Sequence, residues 1–395
     1  MRLKSVGILV ISAVIFMGSC FGRRDIPAER SRVAAREDRD IKIGLVWPFE
    51  VYGDLIDEGV ELAVEQINES GGVLGKRIEL VIEDDNADIN EGLKIAESFA
   101  EDPDVMAVIG HCDSYVSLAV ALSYEINDLI MFSPASTSPE LTEKGYTYIF
   151  RNVLTDDMIG MKAAELCKEK GYENIIILYS GTSYGLGLAN AFERRARDIG
   201  LRIVDRSSFN MGDVAEFEYI LDKWEISGYD AVFFAGLVDA GMTFITRARQ
   251  REMREAERSG QEPVIHPIVG TDGIDSIELL KLPEESTREL YILAMYNPYS
   301  GRPEAEKFNQ AYITKYNHDP DTWAALGYDA LNIVVEAMRK AGSVDPKKAA
   351  PEIGKIANWR GVTGSHTFDD KGDVAQKTHV LKFIFGGEFK YLELE

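Results

Sequence analysis

Apolar residues along the chain recur in two alternating periods. Positions 41–47 form a short apolar run that predicts a strand, and positions 55–68 place Ile56, Val60, Ala63, Val64 and Ile67 on one helical stripe. Gly71 and Gly72 then supply a left-handed stop. A strand over 78–83, a helix over 90–100, a strand over 105–109, a helix over 114–127 and a strand over 129–132 follow. Strands separated by helical patterns are βαβ units, so a parallel sheet covered on both faces is expected.

The alternation then restarts. Helices over 157–170, 187–199, 215–224 and 241–257 interleave with strands over 175–179, 202–207, 231–235 and 264–270. The last hundred residues change character: helices over 304–316, 322–341 and 346–356 come in succession, before strands over 378–385 and 389–392 flanking Gly386-Gly387. The fold class is therefore α/β, with two similar parallel-sheet lobes and a hinge crossed more than once. The expected division is an N-terminal lobe from 41–153 plus 298–368 and a C-terminal lobe from 154–297 plus 369–395.

Composition narrows the partners. With 43 basic against 66 acidic residues and a net charge of −23, the chain lacks the basic surface that nucleic acid or anionic lipid demands. The start of the chain differs from the rest: Arg2 and Lys4 precede a 12-residue apolar run, 6–17, then Gly18, Ser19 and Cys20. That pattern predicts a signal peptide over 1–20, since about 20 apolar residues are needed to cross a bilayer as a helix. The small residues before Cys20 resemble a bacterial lipobox, with Met17 in place of the usual leucine, which implies lipidation at Cys20. A plainly cleaved signal and an uncleaved anchor are the alternatives. Positions 21–40 carry six arginines and five acids with few apolar residues, the composition of a disordered tether. Beyond it, 41–395 holds 35 basic and 61 acidic side chains, net −26.

Cys112 and Cys167 stand 55 positions apart, give no disulfide framework and read as small buried apolar residues. The five histidines form no metal-ligand spacing, so no metal or cofactor is expected. The acidic run 369–373 lacks calcium-loop spacing and reads as a solvated turn.

Parallel sheets bind ligands beyond the carboxyl ends of their strands, where helix N-termini present free N–H groups. The segments at those ends are 110–114 and 133–141 in the first half, and 180–185 and 271–273 in the second. Hydroxyls and backbone donors gather in the first half; an aromatic and a carboxylate, Tyr184 and Asp272, lie in the second. Donors for a carboxylate and an acceptor for an ammonium are what a small zwitterion requires.

On the segments 41–44, 63–75 with its Ile67-Asn68 and Gly71-Gly72, 84–85, 108–111, 133–141, 183–185 and 270–273, the chain resembles the leucine/isoleucine/valine-binding family of type I periplasmic-binding proteins. The resemblance spans essentially all of 41–395. It implies an extracytoplasmic protein that captures an amino acid or similar polar ligand and delivers it to an ABC permease. It also implies ligand contacts at Ser114 for the α-carboxylate, at Ala135, Ser136 and Thr137 through backbone groups and a hydroxyl, at Tyr184 as a cover, and at Asp272 for the α-ammonium. Departures bear on the side-chain pocket. The loop after the first strand is shorter, so Trp47, Phe49 and Tyr52 are expected to line a different pocket. Leu237 replaces an aromatic contact, and the positions of a family disulfide read Ala87 and Asp113.

Each residue also has a plainer role open to it. Ser114 and Asp272 suit helix caps, Thr137 a turn, and Tyr184 packing against the sheet. An enzyme is the rival class, because Gly181-Thr182-Ser183-Tyr184-Gly185 fits a nucleophile elbow with Ser183 as nucleophile. No oxyanion segment precedes it, and no histidine occupies an evident late strand-end loop. A sensory module on the same two lobes, without a transport role, is the other alternative.

Overall fold

The computed structural model describes residues 25–393 except 226, 376 and 378. Cys20 and the expected signal peptide lie outside the described residues.

Within the tether expected over 21–40, of which 25–40 are described, residues 26–34 form a helix, α1 (Ile26–Ala34), capped by the Asp25 side chain. Composition gave the wrong answer because one residue fixes this segment. Arg30 is only 1% exposed, and its guanidinium donates to the carbonyls of Val105 at 2.8 Å, Asn127 at 2.5 Å, Ala100 at 2.8 Å and Asp102 at 3.2 Å. Ile26, Val33 and Ala34 are buried beside it.

The first lobe follows in chain order: β1 (Ile41–Val46), α2 (Phe49–Tyr52), α3 (Ile56–Glu69), β2 (Ile78–Glu83), α4 (Ile89–Glu101), β3 (Val105–Ile109), α5 (Ser114–Ile126), β4 (Ile130–Ser133), α6 (Glu140–Glu143) and β5 (Ile149–Arg151). Its five strands pair in parallel in the order β2-β1-β3-β4-β5. The carbonyls that Arg30 satisfies belong to the C-terminal ends of α4 and α5 and to the start of β3, where helix carbonyls have no internal partner and the helix dipole is negative. Burial lowers the pKa of Arg30 to about 10, so it stays charged at neutral pH.

The second lobe comprises α7 (Asp156–Glu169), β6 (Asn174–Ser180), α8 (Ser183–Asp198), β7 (Arg202–Phe209), α9 (Val214–Trp224), β8 (Ala231–Ala235), α10 (Val238–Ser259), β9 (Ile268–Gly270) and β10 (Leu290–Ala294). The order β7-β6-β8-β9-β10 repeats the first sheet. The strand expected from 264 begins only at Ile268, because Pro267 has no N–H to give a ladder. Helix α8 begins a turn earlier than expected, since the Thr182 hydroxyl caps the Gly185 N–H.

The chain then returns to the first lobe through α11 (Pro303–Tyr316), α12 (Thr322–Ala341), α13 (Pro346–Ile353), β11 (Trp359–Gly361) and β12 (Gly364–His366), with α12 packed along α3. It finishes with β13 (Val380–Phe385) and β14 (Glu388–Glu393), an antiparallel hairpin on the edge of the second sheet. Gly386 and Gly387 take φ of +63° and +74°, the left-handed pair a two-residue hairpin turn needs. The chain thus passes between sheets three times, between β5 and α7, between β10 and α11, and between β12 and β13. The expected boundary at 369 needs correction: the run 369–373 is the expected turn, with Asp370 and Lys371 exposed, but Asp373 is buried and pairs with Arg151 of β5 at 2.6 Å, so it belongs to the first lobe. Both faces of both sheets carry buried apolar clusters.

Replacing Arg30 by alanine strands several buried carbonyls. Urea unfolding of R30A should show a loss of about 2–4 kcal/mol; a loss below about 0.5 kcal/mol would mean that water satisfies those groups equally well.

Candidate ligand-binding site

The carboxyl ends of the two sheets face each other across one cavity. From the first lobe come Tyr52 and Asp54 after β1, Cys112, Asp113 and Ser114 after β3, Ala135 after β4, and Trp323 at the start of α12. From the second come Tyr184 in α8, Leu237 and Val238 after β8, and Asp272, Gly273, Asp275 and Ser276 after β9. In a sheet of order 2-1-3-4-5 the switch point lies between the first and third strands, and the loops after β1 and β3 meet there.

The first-lobe loops are fastened by hydroxyls and one arginine. Ser133 Oγ donates to the His111 carbonyl at 2.8 Å and accepts the Ser136 N–H at 2.9 Å, which ties the β3 and β4 ends together. Arg151, wholly buried, donates to the carbonyls of Ser136 at 3.0 Å and Ser138 at 2.7 Å while its Nε holds Asp373. Behind the β3 loop, His111 Nδ1 and Asp85 Oδ2 lie 2.6 Å apart, and His111 Nε2 meets the Tyr124 hydroxyl at 3.0 Å. Ser114 is the first residue of α5, after Asp113 at the cap position. Its hydroxyl accepts from Ser136 Oγ at 3.3 Å.

On the second lobe one phenol organises the turn. Tyr184 donates to Asp272 Oδ1 at 3.1 Å, accepts the Gly273 N–H at 2.8 Å and lies 2.8 Å from Thr271 Oγ1. Gly273 has no room for a side chain, since a Cβ there would stand 2.5 Å from the Tyr184 hydroxyl. Asp272 is 4% exposed. Burial pushes its carboxyl up to about 7 against the pull of the Tyr184 hydrogen bond. Burial also raises Asp113 to about 7, opposed by the Tyr52 hydroxyl that donates to it at 3.0 Å. Asp54 is raised too, first by burial and then by neighbouring Asp321, while Trp47 Nε1 donates to it at 3.1 Å.

Six of the ten expected contacts therefore line one cavity: Ser114, Ala135, Tyr184, Asp272, Tyr52 and Leu237. The other four do not line it. Trp47 is fully buried, with its ring 5.6 Å from that of Trp323, and shapes the pocket indirectly. Phe49 is partly buried against the apolar core. Ser136 is buried and spends its hydroxyl on Ser114. Thr137 is buried, and its carbonyl accepts the Asp156 N–H at 2.9 Å across the first crossing between lobes. Asp54, Asp113, Asp275 and Trp323 were missed. Asp113 lies in a strand-end segment and is readable; Trp323 comes from α12, 209 positions after Ser114, and nothing local signals it.

The profile described as periplasmic binding protein matches residues 40–386. The chain belongs to this family. Among relatives, the Leu/Ile/Val-binding protein homolog 1 of Brucella abortus (strain 2308) is 28% identical over 357 residues, 89% of this chain and 91% of that protein. The leucine-, isoleucine-, valine-, threonine- and alanine-binding protein of Pseudomonas aeruginosa is 29% identical, over 85% of this chain and 87% of its own. Among solved structures, an ABC transporter substrate-binding protein from Desulfitobacterium hafniense in complex with Leu superposes with a TM-score of 0.78 at 37% identity, over 90% of this chain and all of that one. The fold is that of type I periplasmic binding proteins, and family membership places the protein outside the cytoplasm.

The raised carboxyl of Asp272 gives a signed pH effect. Between its usual range and about 7 the folded state binds more protons than the unfolded state, so this group lowers stability as pH rises through that window. Urea unfolding at pH 5 and pH 8 should show a smaller decline for Asp272→Asn than for wild type. Identical declines would mean that Asp272 stays ionised in the empty site.

Proposed function

We propose that the chain captures an amino acid between its lobes and delivers it to an ABC-type permease in the membrane. One observation carries the reading: Asp272, buried and held by Tyr184, shares one cavity with Ser114 and Ala135. An α-ammonium complements the first and an α-carboxylate the second. The names of the Brucella abortus and Pseudomonas aeruginosa relatives, and the leucine bound by the Desulfitobacterium hafniense protein, support the same backbone recognition.

Capture works by hinge closure. Ligand docks on Ser114 and Ala135, and Tyr184 and Asp272 arrive as the second lobe swings about the three crossings. Closure is favoured only by the extra affinity of the closed form for the ligand. A serine hydrolase finds no support at Ser183: its Oγ is buried without a hydrogen-bond partner, so no general base is in place to activate it. We read the chain as a carrier and not a catalyst, held at the membrane by a lipid on Cys20.

Two measurements test this. Asp272→Ala should weaken calorimetric binding of the best amino acid by about 2–5 kcal/mol, because a desolvated ammonium loses its partner; a change of a few tenths would remove Asp272 from the site. Metabolic labelling with palmitate should mark the wild-type chain and not Cys20→Ala, which should move from the membrane fraction to the soluble one. Labelling that survives this change would sink the anchor.

A further inference from the structure

The cavity is lined by four carboxylates, Asp54, Asp113, Asp272 and Asp275, and by no lysine or arginine among the described residues. Asp275 is already answered: Lys382 Nζ lies 2.5 Å from its Oδ1, and Thr322 Oγ1 donates to its Oδ2 at 2.6 Å. The other three are held by neutral donors alone, Tyr184 on Asp272, Tyr52 on Asp113 and Trp47 on Asp54.

If the site takes an amino acid, as proposed above, the α-ammonium answers Asp272. The α-carboxylate then brings a fresh negative charge to Ser114, the residue next to Asp113. A ligand with an uncharged side chain leaves Asp54 and Asp113 without a cation in a space that closure has shut off from water. Buried there, a carboxyl either stays charged at a cost or must hold a proton, the direction in which burial already pushes Asp113 and Asp54; a cationic nitrogen within reach relieves both. We propose that this cavity selects amino acids whose side chain ends in a cationic nitrogen, with Asp113 and Asp54 as its acceptors.

The rest of the wall suits the same ligand. Trp323, Leu237 and Val238 border the cavity and offer aromatic and aliphatic surface to a methylene stem, as long basic side chains bury the stem and keep the head among polar groups. The acidic body, with 61 acidic against 35 basic side chains over 41–395, attracts a cation where it leaves a net-neutral zwitterion unsteered.

Isothermal titration of the mature protein with lysine, arginine, glutamine and leucine decides the matter, on wild type and on the near-isosteric Asp113→Asn and Asp54→Asn. The better of lysine and arginine should bind wild type at least about 30-fold more tightly than leucine or glutamine. In at least one variant the ratio of basic ligand to leucine should shrink by about tenfold or more. Leucine or glutamine binding wild type as tightly as the basic ligands overturns the inference and leaves amino-acid capture intact. A ratio unchanged in both variants also overturns it. Failure of all four ligands to bind overturns the amino-acid reading itself. Should a variant fail to fold, the wild-type ranking still decides.

Discussion

All strands of a parallel sheet end at the same edge, and in this protein two such edges are turned toward one another. Everything functional follows from that constraint. Loops leaving β1, β3 and β4 on one side, and β6, β8 and β9 on the other, have nowhere to go except over a shared cavity. Helix N-termini start from the same edges, so backbone N–H groups and short hydroxyl side chains collect there without any further device. The repeat of one strand order in both lobes makes the two walls alike in construction while their chemistry differs. The first wall sets the Ser114 hydroxyl beside Asp54 and Asp113; the second supplies Asp272, under the Tyr184 phenol, and Asp275.

Such loops are useful only when held still, and buried polar groups do the holding. Arg151 binds two carbonyls of the β4 loop and pairs with Asp373, a residue that the chain reaches only after visiting the second lobe and returning. Asp275 performs a comparable task from the other side, receiving Lys382 from the terminal hairpin and Thr322 from the start of α12. The long route of the last hundred residues therefore fastens both walls as well as forming the hinge. Arg30 closes the opposite end of the first sheet, far from the cavity, where two helices leave carbonyls unpaired.

Asp54, Asp113 and Asp272, in the cavity lining, stand in contrast to these answered charges. Tyr184, Tyr52 and Trp47 orient them but bring no positive charge. Their burial raises their proton affinity in the empty site. Such an arrangement makes the empty protein less comfortable than it could be and leaves the missing charge to be supplied by what binds.

Much of this was legible along the chain. Apolar periodicity alone determined the α/β class, most element bounds and the two-lobe repeat, because period 2 and period 3.6 are written locally in side-chain order. The family-like segments further marked Ser114, Ala135, Tyr184 and Asp272. Tertiary structure alone decided the rest. It recruited Trp323 and Asp54 to the cavity, kept Thr137, Ser136 and Trp47 out of its lining, and turned a charged segment into a docked helix by burying Arg30. In each case the deciding partner lies far away in sequence or on the other side of a turn. A residue's exposure and hydrogen-bond partners are properties of that meeting, which local pattern does not contain.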